Sequence, residues 1–262
     1  MRRPSLEFLC ELARDAGALV RDRQPAAAPL DAPEAVTAAD LASEELILGR
    51  IAAAFPEHGV LSEERSKGGG APAPADGPLW VVDPLDGTTN YLEGGPHYAI
   101  SIAWGLAEAG RFDPLLGVVL QPGTGELHAA GAAEGWLGAA PPPSSLPLRR
   151  RSLSLQLGVL DDPETSAVLG RLFAAGPRLG AVRILGAAAL DLAHVARGRH
   201  GAYLARGLSL WDVAAGALLV HAAGGAVSDL AGEPRLRLAG PQEVLAARDA
   251  EVHATLLAAL GR

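Results

Sequence analysis

The apolar residues at the start of the chain recur with a helical period. They fall three or four residues apart in two stretches, which predicts amphipathic helices over residues 5–20 and 38–55. A segment rich in Pro and Ala, residues 24–33, separates the two stretches. We therefore expect the chain to begin with a pair of helices joined by an irregular connection.

The middle of the chain replaces this period with short apolar runs of strand length. Gly and Pro punctuate the runs, and we expect Pro114 and Pro122-Gly123 to lie at turns. Runs of this kind predict an antiparallel sheet. Strands are predicted at residues 79–82, 99–104, 116–120 and 126–130.

Strand and helix patterns alternate in the last part of the chain, which indicates α/β layering. Strands are predicted at residues 153–157, 181–185 and 202–204, and helices at residues 187–196, at residues 211–223 and from Asp162 onward. The proline-rich segment 139–145 is the expected boundary between two halves, residues 1–138 and 139–262. We expect the halves to pack as one compact unit.

The composition narrows the class of protein. The chain has 262 residues, of which 49% are hydrophobic, so it can bury a large core. A formal net charge of -8 argues against nonspecific binding to nucleic acid or to an acidic membrane face. No apolar run approaches the ~20 residues that span a bilayer, and the lone Cys10 excludes an internal disulfide. We therefore expect a cytoplasmic protein without a membrane partner.

The strongest chemical signal is the sequence D-P-L-D-G-T-T-N at residues 83–90. Asp83 and Asp86 follow an apolar run and are oxygen ligands of the kind that hard cations prefer. Gly87 permits a sharp bend, and Thr88 can open a helix whose free N–H groups would face an anion. A cation site beside an anion site suits phosphoryl chemistry. The alternative is a plain strand end, turn and helix cap.

Two other acidic segments are less specific by themselves. Glu63 and Glu64 follow a short predicted strand and could be solvated loop charges. Asp212 lies in the first turn of a predicted helix, where a carboxylate complements the helix dipole. Neither segment alone decides between a structural role and metal binding.

Taken together, these segments resemble the inositol monophosphatase family of magnesium-dependent, lithium-sensitive sugar phosphatases. The most specific part is the pair of motifs D-P-L-D-G-T-T-N and W-D-V-A-A-G. The resemblance covers most of the chain, at residues 36–40, 61–64, 80–90, 186–193 and 211–225. It implies a layered α-β-α-β-α sandwich of mixed α+β and α/β character, and it also implies a homodimer, which is common in the family.

The resemblance implies an activity, hydrolysis of a small polyol or sugar phosphate monoester, with inositol-1-phosphate as the leading substrate. Water activated by magnesium would attack the phosphate in line, between two cations about 3.5–4 Å apart. Fructose-1,6-bisphosphate, histidinol phosphate and adenosine 3',5'-bisphosphate are alternative substrates. A regulatory binding module is the alternative without catalysis, because some bacterial relatives act through partners in transcription complexes.

The family pattern also implies a set of metal ligands. Glu63, Asp83 and the backbone carbonyl of Leu85 would bind one Mg²⁺, and Asp83, Asp86 and Asp212 a second. Glu63 and water would help to hold a weaker third ion. The pattern therefore implies two to three magnesium ions.

Further positions match the family's catalytic and substrate contacts. Thr88 and Asp40 would orient and deprotonate the attacking water, with Glu63 close by. Asp40 also fits a capping pair with Thr37, so its role stays open between the two. The amides around Gly87 and Thr88 would hold the phosphate. The implied substrate contacts are Asp86, Gly87, Thr88, Gly186, Ala187 and Asp212.

Four features depart from the family pattern or lie outside it. Ala205 stands where inositol-preferring members usually carry an acidic residue, and Ala187 replaces a common serine. Arg206 could meet a second anionic group of the substrate, or it could be an isolated surface arginine. Residues 67–74 are rich in Gly and Pro, and we expect a flexible loop there, near Glu63.

Overall fold

The computed structural model describes residues 2–24, 38–70, 73–138, 152–156, 163–174 and 180–261. The expected boundary at residues 139–145 lies outside these ranges, as do Thr37 and most of the segment between the first two helices. No helix within the described ranges is long and apolar enough to cross a membrane.

The first sheet carries a helical pair on one face. Its order is β1-β2-β3-β4-β5-β6, with β11 paired to β4. The β1–β2 pair is parallel and the other pairs are antiparallel. Two helices, α1 (Leu6–Asp22) and α2 (Ala38–Ala54), pack on it. The strands are β1 (Gly59–Ser62), β2 (Gly77–Asp86), β3 (Ala99–Glu108), β4 (Arg111–Gln121), β5 (Glu126–Gly131), β6 (Gly135–Trp136) and β11 (Leu236–Arg237).

The second sheet is separated from the first by α6 (Ala188–Ala196) and α7 (Leu210–Ala222). Its order is β10-β12-β9-β7-β8, and α5 (Pro163–Ala174) and α8 (Ala250–Leu260) form the outer layer. Its strands are β7 (Leu153–Gln156), β8 (Val182–Arg183), β9 (Ala202–Leu208), β10 (Ala226–Ser228) and β12 (Gln242–Ala247). Helix, sheet, helix, sheet and helix therefore stack in turn, which confirms the predicted α-β-α-β-α sandwich.

The two middle helices are built from small residues because a sheet covers each side of them. Helix α7 buries most of its length, and α6 packs beside it. A Cβ added to Gly216 would lie only 2.5 Å from the Cβ of Leu192, so glycine allows the close approach of α6 and α7. This packing brings the N-termini of both helices to the end of β2.

The structure corrects three local predictions. Strand β2 continues to Asp86, with a register shift after Asp83, so the charged motif is an irregular strand end. The residues after Ser62 form a short helix, α3 (Glu63–Lys67), and not a strand end followed directly by a loop. Pro114 lies inside β4 opposite Gly105 and not at a turn, because a register shift there accommodates a residue without an N–H group.

A candidate metal and phosphate site

One cavity collects nearly all of the predicted site residues. Its volume is about 430 Å³, and it opens where β2, α2, α3, α4 (Thr88–Leu92) and α7 meet. The predicted residues that line it are Asp40, Glu63, Asp83, Leu85, Asp86, Gly87, Thr88, Gly186 and Asp212. Five further residues, which the sequence interpretation did not place there, are Glu64, Lys67, Thr89, Leu92 and Gln156.

Three aspartates form the floor of this cavity. The side chains of Asp83, Asp86 and Asp212 each offer a carboxylate oxygen, and these oxygens lie within 4.8 Å of one another. Backbone amides hold two of the carboxylates: Asp83 accepts from the Leu85 N–H at 3.1 Å, and Asp212 accepts from the Ser209 N–H at 2.7 Å. The three side chains converge although residue 212 is far along the chain from residue 83.

The N-terminus of α6 anchors the third carboxylate. The Oδ2 atom of Asp86 accepts from the Ala189 N–H at 2.8 Å, and Oδ1 accepts from the Ala188 N–H at 3.2 Å. Free N–H groups at a helix start favour a negative charge. Helix α6 thus fixes the orientation of Asp86 from the layer behind the sheet.

The charges of the three aspartates are poorly compensated. Burial, and next the repulsion from Glu63, Asp86 and Asp212, raises the pKa of Asp83 well above its ordinary value. Burial and the charge of Asp212 raise the pKa of Asp86. Burial raises the pKa of Asp212 to about 7. A hard divalent cation would offset this repulsion, and the all-oxygen donor set fits one.

Helix α3 places a basic residue beside this acidic cluster. The Lys67 Nζ lies 2.7 Å from Oε1 of Glu63 and 3.5 Å from Oε1 of Glu64. Burial alone would lower the pKa of Lys67, yet the hydrogen bond to Glu63 and the charges of both glutamates raise it. The ammonium group therefore neutralises Glu63, one of the predicted metal ligands.

Gly87, Thr88 and Thr89, at the turn after β2 and the start of α4, form a backbone segment suited to binding an anion, which we call the phosphate cradle. Gly87 has φ 85° and caps α4 without a side-chain hydrogen bond. A Cβ on Gly87 would lie 3.0 Å from both the Ala187 Cβ and the His97 carbonyl oxygen, so both conformation and space require glycine. The first N–H groups of α4 lack intrahelical acceptors. Gly87, Thr88 and Thr89 line the cavity together with the aspartates, which suits binding of a phosphate oxygen.

Two predicted catalytic residues meet at the same cavity. Asp40 is 1% exposed in the first turn of α2, and Thr88 begins α4. The Thr88 hydroxyl donates to the Leu85 carbonyl at 3.1 Å. A carbonyl oxygen has two lone pairs, so the Leu85 carbonyl can still accept a cation. The capping role proposed for Asp40 depends on Thr37, which lies outside the described residues.

The remaining predicted positions have different surroundings. Ala187 is fully buried against Gly87, behind the cavity wall. Ala205 is fully buried in the core between the sheets. Arg206 is not isolated, because it forms ion pairs with Glu164 at 2.6 Å and Glu243 at 3.0 Å. The guanidinium is therefore neutralised within the second sheet and its outer helix.

Comparisons with known proteins agree with this geometry. The family model for the inositol monophosphatase family matches residues 1–262. The chain is 38% identical over 244 residues to a Nus factor SuhB of Pseudomonas aeruginosa, covering 87% of this chain and 86% of that protein. It is 36% identical over 208 residues to an inositol-1-monophosphatase of Mesorhizobium japonicum, covering 75% of this chain and 73% of that protein.

A solved structure extends the likeness to the whole fold. The inositol monophosphatase from Anabaena (Nostoc) sp. PCC 7120 superposes with a TM-score of 0.78 and 35% identity, covering 98% of this chain and 94% of that one. The family match, the shared sandwich and the acidic cluster are mutually consistent. The chain therefore belongs to the inositol monophosphatase family and is a phosphoric monoester hydrolase.

Proposed function

We propose that this enzyme hydrolyses a small polyol or sugar phosphate monoester with magnesium, and that inositol-1-phosphate is its leading substrate. The observation that carries the proposal is the cluster of the buried Asp83 and Asp86 with the half-buried Asp212, beside the start of α4. Inositol-1-phosphate ranks first because a relative 36% identical to this chain bears the name inositol-1-monophosphatase.

The proposed metal ligands are the side chains of Glu63, Asp83, Asp86 and Asp212 and the carbonyl of Leu85. Two to three ions of magnesium would share them. Bound there, magnesium offsets phosphate charge and lowers the pKa of a water molecule. The carboxylates are positioned even without an ion, because backbone N–H groups of the surrounding elements donate to Asp83, Asp86 and Asp212.

The backbone amides of the cradle would bind the phosphate, and separate side chains would activate the attacking water. The N–H groups around Gly87 and Thr88 would hold phosphate oxygens, since these residues line the cavity at the start of α4. Asp40 and Thr88 would orient the attacking water and take its proton, with Glu63 close by. The burial of Asp40 keeps its carboxylate in one place.

The sugar or polyol would lie over the remaining wall of the cavity. We propose contacts from Asp86, Gly186 and Asp212, with the buried Ala187 shaping the wall through Gly87. Gln156 is an additional candidate for binding a hydroxyl group, because it lines the cavity at the end of β7. The Tyr203 hydroxyl donates to its Oε1 at 3.1 Å, which leaves the amide N–H groups for a ligand.

A substrate panel tests the proposal. Wild type would be assayed with Mg²⁺ on inositol-1-phosphate, fructose-1,6-bisphosphate, histidinol phosphate and adenosine 3',5'-bisphosphate, beside Asp83→Asn and the control Asp113→Asn. Asp113 is exposed on β4, away from the cavity. We expect phosphate release from wild type and the control, fastest on inositol-1-phosphate, and a loss of about 100-fold or more in Asp83→Asn. No release from any ester would contradict the proposal.

A Nus-factor role is the second candidate, because a relative 38% identical to this chain is named Nus factor SuhB. Affinity capture of an RNA polymerase complex tests it, with wild type and Asp83→Asn as baits. Equal capture by both baits would support a binding role that does not use catalysis. No capture would leave hydrolysis as the function. The homodimer implied by the family stays a prediction, which light scattering of the 26.8 kDa chain can check.

A further inference from the structure

Behind the phosphate cradle lies a second cluster of possible ligands, which hydrolysis does not use. Asp191 of α6 is fully buried. The Nε2 atoms of His97 and His200 lie 3.4 and 3.7 Å from its Oδ1. His194, one turn further along α6, completes a group in which Asp191, His194 and His200 each offer a ligand atom within 4.8 Å of the others.

Four buried atoms in this cluster have no hydrogen-bond partner among the described residues. They are Oδ1 of Asp191 and the Nε2 atoms of His97, His194 and His200. Native proteins rarely leave buried polar atoms in this state, so each one requires an explanation. Here two of the Nε2 atoms lie 3.4 and 3.7 Å from Asp191 Oδ1, and His194 offers a ligand atom within 4.8 Å of those of Asp191 and His200. This convergence indicates a shared ligand.

Other hydrogen bonds fix the orientation of these side chains. Oδ2 of Asp191 accepts from the Ser154 hydroxyl at 2.9 Å. Nδ1 of His200 lies 2.7 Å from the Ser152 hydroxyl. These contacts direct Oδ1 and Nε2 toward each other. Ligands of protein metal sites are oriented in this way, with the second ring nitrogen or second oxygen held by a neighbour.

The protonation states also suit metal ligands. Burial lowers the pKa of His194 to about 4, so its imidazole is neutral and can donate a lone pair at physiological pH. Burial alone would raise the pKa of Asp191, but its interactions with His200, His97 and Ser154 lower it. The aspartate is therefore ionised, as a carboxylate ligand must be.

We propose that Asp191, His194 and His200, joined by His97, form a binding site for one transition-metal ion, with Zn²⁺ as the best match. Three imidazoles and one carboxylate suit Zn²⁺, whereas Mg²⁺ and Ca²⁺ take oxygen ligands. Zinc bonds of about 2.0–2.1 Å place tetrahedral ligand atoms roughly 3.3 Å apart. The separations of 3.4 and 3.7 Å from Asp191 are near that value.

The role of this ion would be structural. Four protein ligands leave no open position for a substrate. The backbone of His97 lies next to the cradle. Its carbonyl accepts from the Asn90 amide at 2.8 Å, and its oxygen would lie 3.0 Å from a Cβ built on Gly87. Helix α6 also supplies the N–H groups that hold Asp86. The ion would therefore join the loop before β3 to α6, directly behind the catalytic cavity.

Zinc binding is measured with the full chain. The protein would be stripped with EDTA, dialysed into millimolar Mg²⁺ to occupy the catalytic acids, and titrated with Zn²⁺. We expect one tightly bound Zn²⁺ per chain, and a tetrahedral visible spectrum when Co²⁺ replaces it. The variants His194→Gln and His200→Asn should no longer bind this Zn²⁺ ion. Asp83→Asn and His221→Gln, a histidine exposed at the end of α7, should keep it.

Each alternative outcome overturns the proposal. Wild type that binds no Zn²⁺ shows an ordinary cluster in which the imidazoles of His97 and His200 pair with Asp191. Retention of Zn²⁺ by both His194→Gln and His200→Asn places the ion elsewhere. Loss of Zn²⁺ in Asp83→Asn places it among the catalytic acids. The melting temperatures of the metal-free variants identify any variant that fails to fold. The Co²⁺ spectrum of wild type tests the site without any variant, because a spectrum that is not tetrahedral contradicts the proposed set of four ligands.

Discussion

At the scale of single residues, the site is governed by charges that the fold holds together against their repulsion. The buried Asp83 and Asp86 and the half-buried Asp212 lie next to one another, and Lys67 is the basic side chain among the described residues that line the cavity. Folding therefore stores electrostatic free energy that a bound cation can release. Metal affinity and protein stability should depend on each other.

The first prediction concerns pH and stability without metal. The folded pKa of Asp212 is about 7 against an ordinary value of 3.8. A raised carboxyl pKa gives stability that is complete below the unfolded value and is lost as pH rises through the folded value. In EDTA, Asp212→Asn should therefore melt near wild type at pH 4 and higher than wild type at pH 8, by roughly 5 °C.

Magnesium should reverse that order, because the ion binds the ionised aspartate of wild type more strongly than the asparagine of the variant. Calorimetry over pH 4 to 8, with EDTA or with Mg²⁺, measures both effects. A melting difference in EDTA that stays constant with pH would contradict the account of Asp212.

The second prediction concerns Gly87, where both φ and space require glycine. Gly87→Ala should lower kcat by about 100-fold, because a Cβ would displace the amides of the cradle. Gly110→Ala is the matched control: Gly110 has φ 76°, and a Cβ there meets nothing within 4 Å. Gly110→Ala should lose about 1 kcal/mol of stability from its positive φ alone, and Gly87→Ala should lose more, because its Cβ would also clash with neighbouring atoms. Equal activity in the two variants would show that the cradle does not hold phosphate.

The residues that the sequence did not identify lacked a spacing signal. The motif at 83–90 carries two acids, a glycine and a threonine in adjacent positions, so its chemistry was evident. Gln156 and Lys67 reach the cavity through the pairing of β7 and the formation of α3. Neither has a sequence neighbour that marks it as functional. The cluster around Asp191 was missed for the same reason.

At the scale of elements, single segments combine a structural and a chemical role. Helix α7 begins with a capping box in which the Ser209 N–H donates to Asp212. The same carboxylate therefore caps the start of the helix and lines the cavity. The sequence left these roles as alternatives for Asp212, and the geometry permits both. Helix α3 likewise places Glu63 at the cavity and Lys67 one turn later beside it.

The third prediction concerns α3. The ammonium of Lys67 neutralises Glu63, so it competes with a cation for that carboxylate. Lys67→Met should lower the Mg²⁺ concentration for half-maximal activity about two- to fivefold, since one solvent-exposed ion pair is removed. Arg65→Met is the control, because Arg65 is an exposed residue of the same helix. A higher Mg²⁺ requirement in Lys67→Met would instead indicate that the lysine binds phosphate.

At the scale of the whole molecule, the layers bring distant segments to one cavity. The order of layers was implied by the family resemblance, whereas periodicity and turn residues predicted only the first pair of helices, the antiparallel sheet and the alternation of strands and helices that follows. They did not predict β10, β12 and α8, which complete the second sheet and its outer layer. Strand β11 returns to pair with β4, so the first sheet contains residues from both ends of the chain. Such long-range pairing leaves no local pattern.

Four acidic side chains are proposed to hold divalent cations next to the phosphate cradle. Crystals soaked with Mn²⁺ and inorganic phosphate test this arrangement directly, because Mn²⁺ occupies oxygen sites and scatters anomalously. We predict anomalous peaks bounded by Glu63, Asp83, Asp86 and Asp212, with phosphate density at the start of α4. Anomalous peaks away from these carboxylates, or phosphate bound away from Gly87, would contradict the account.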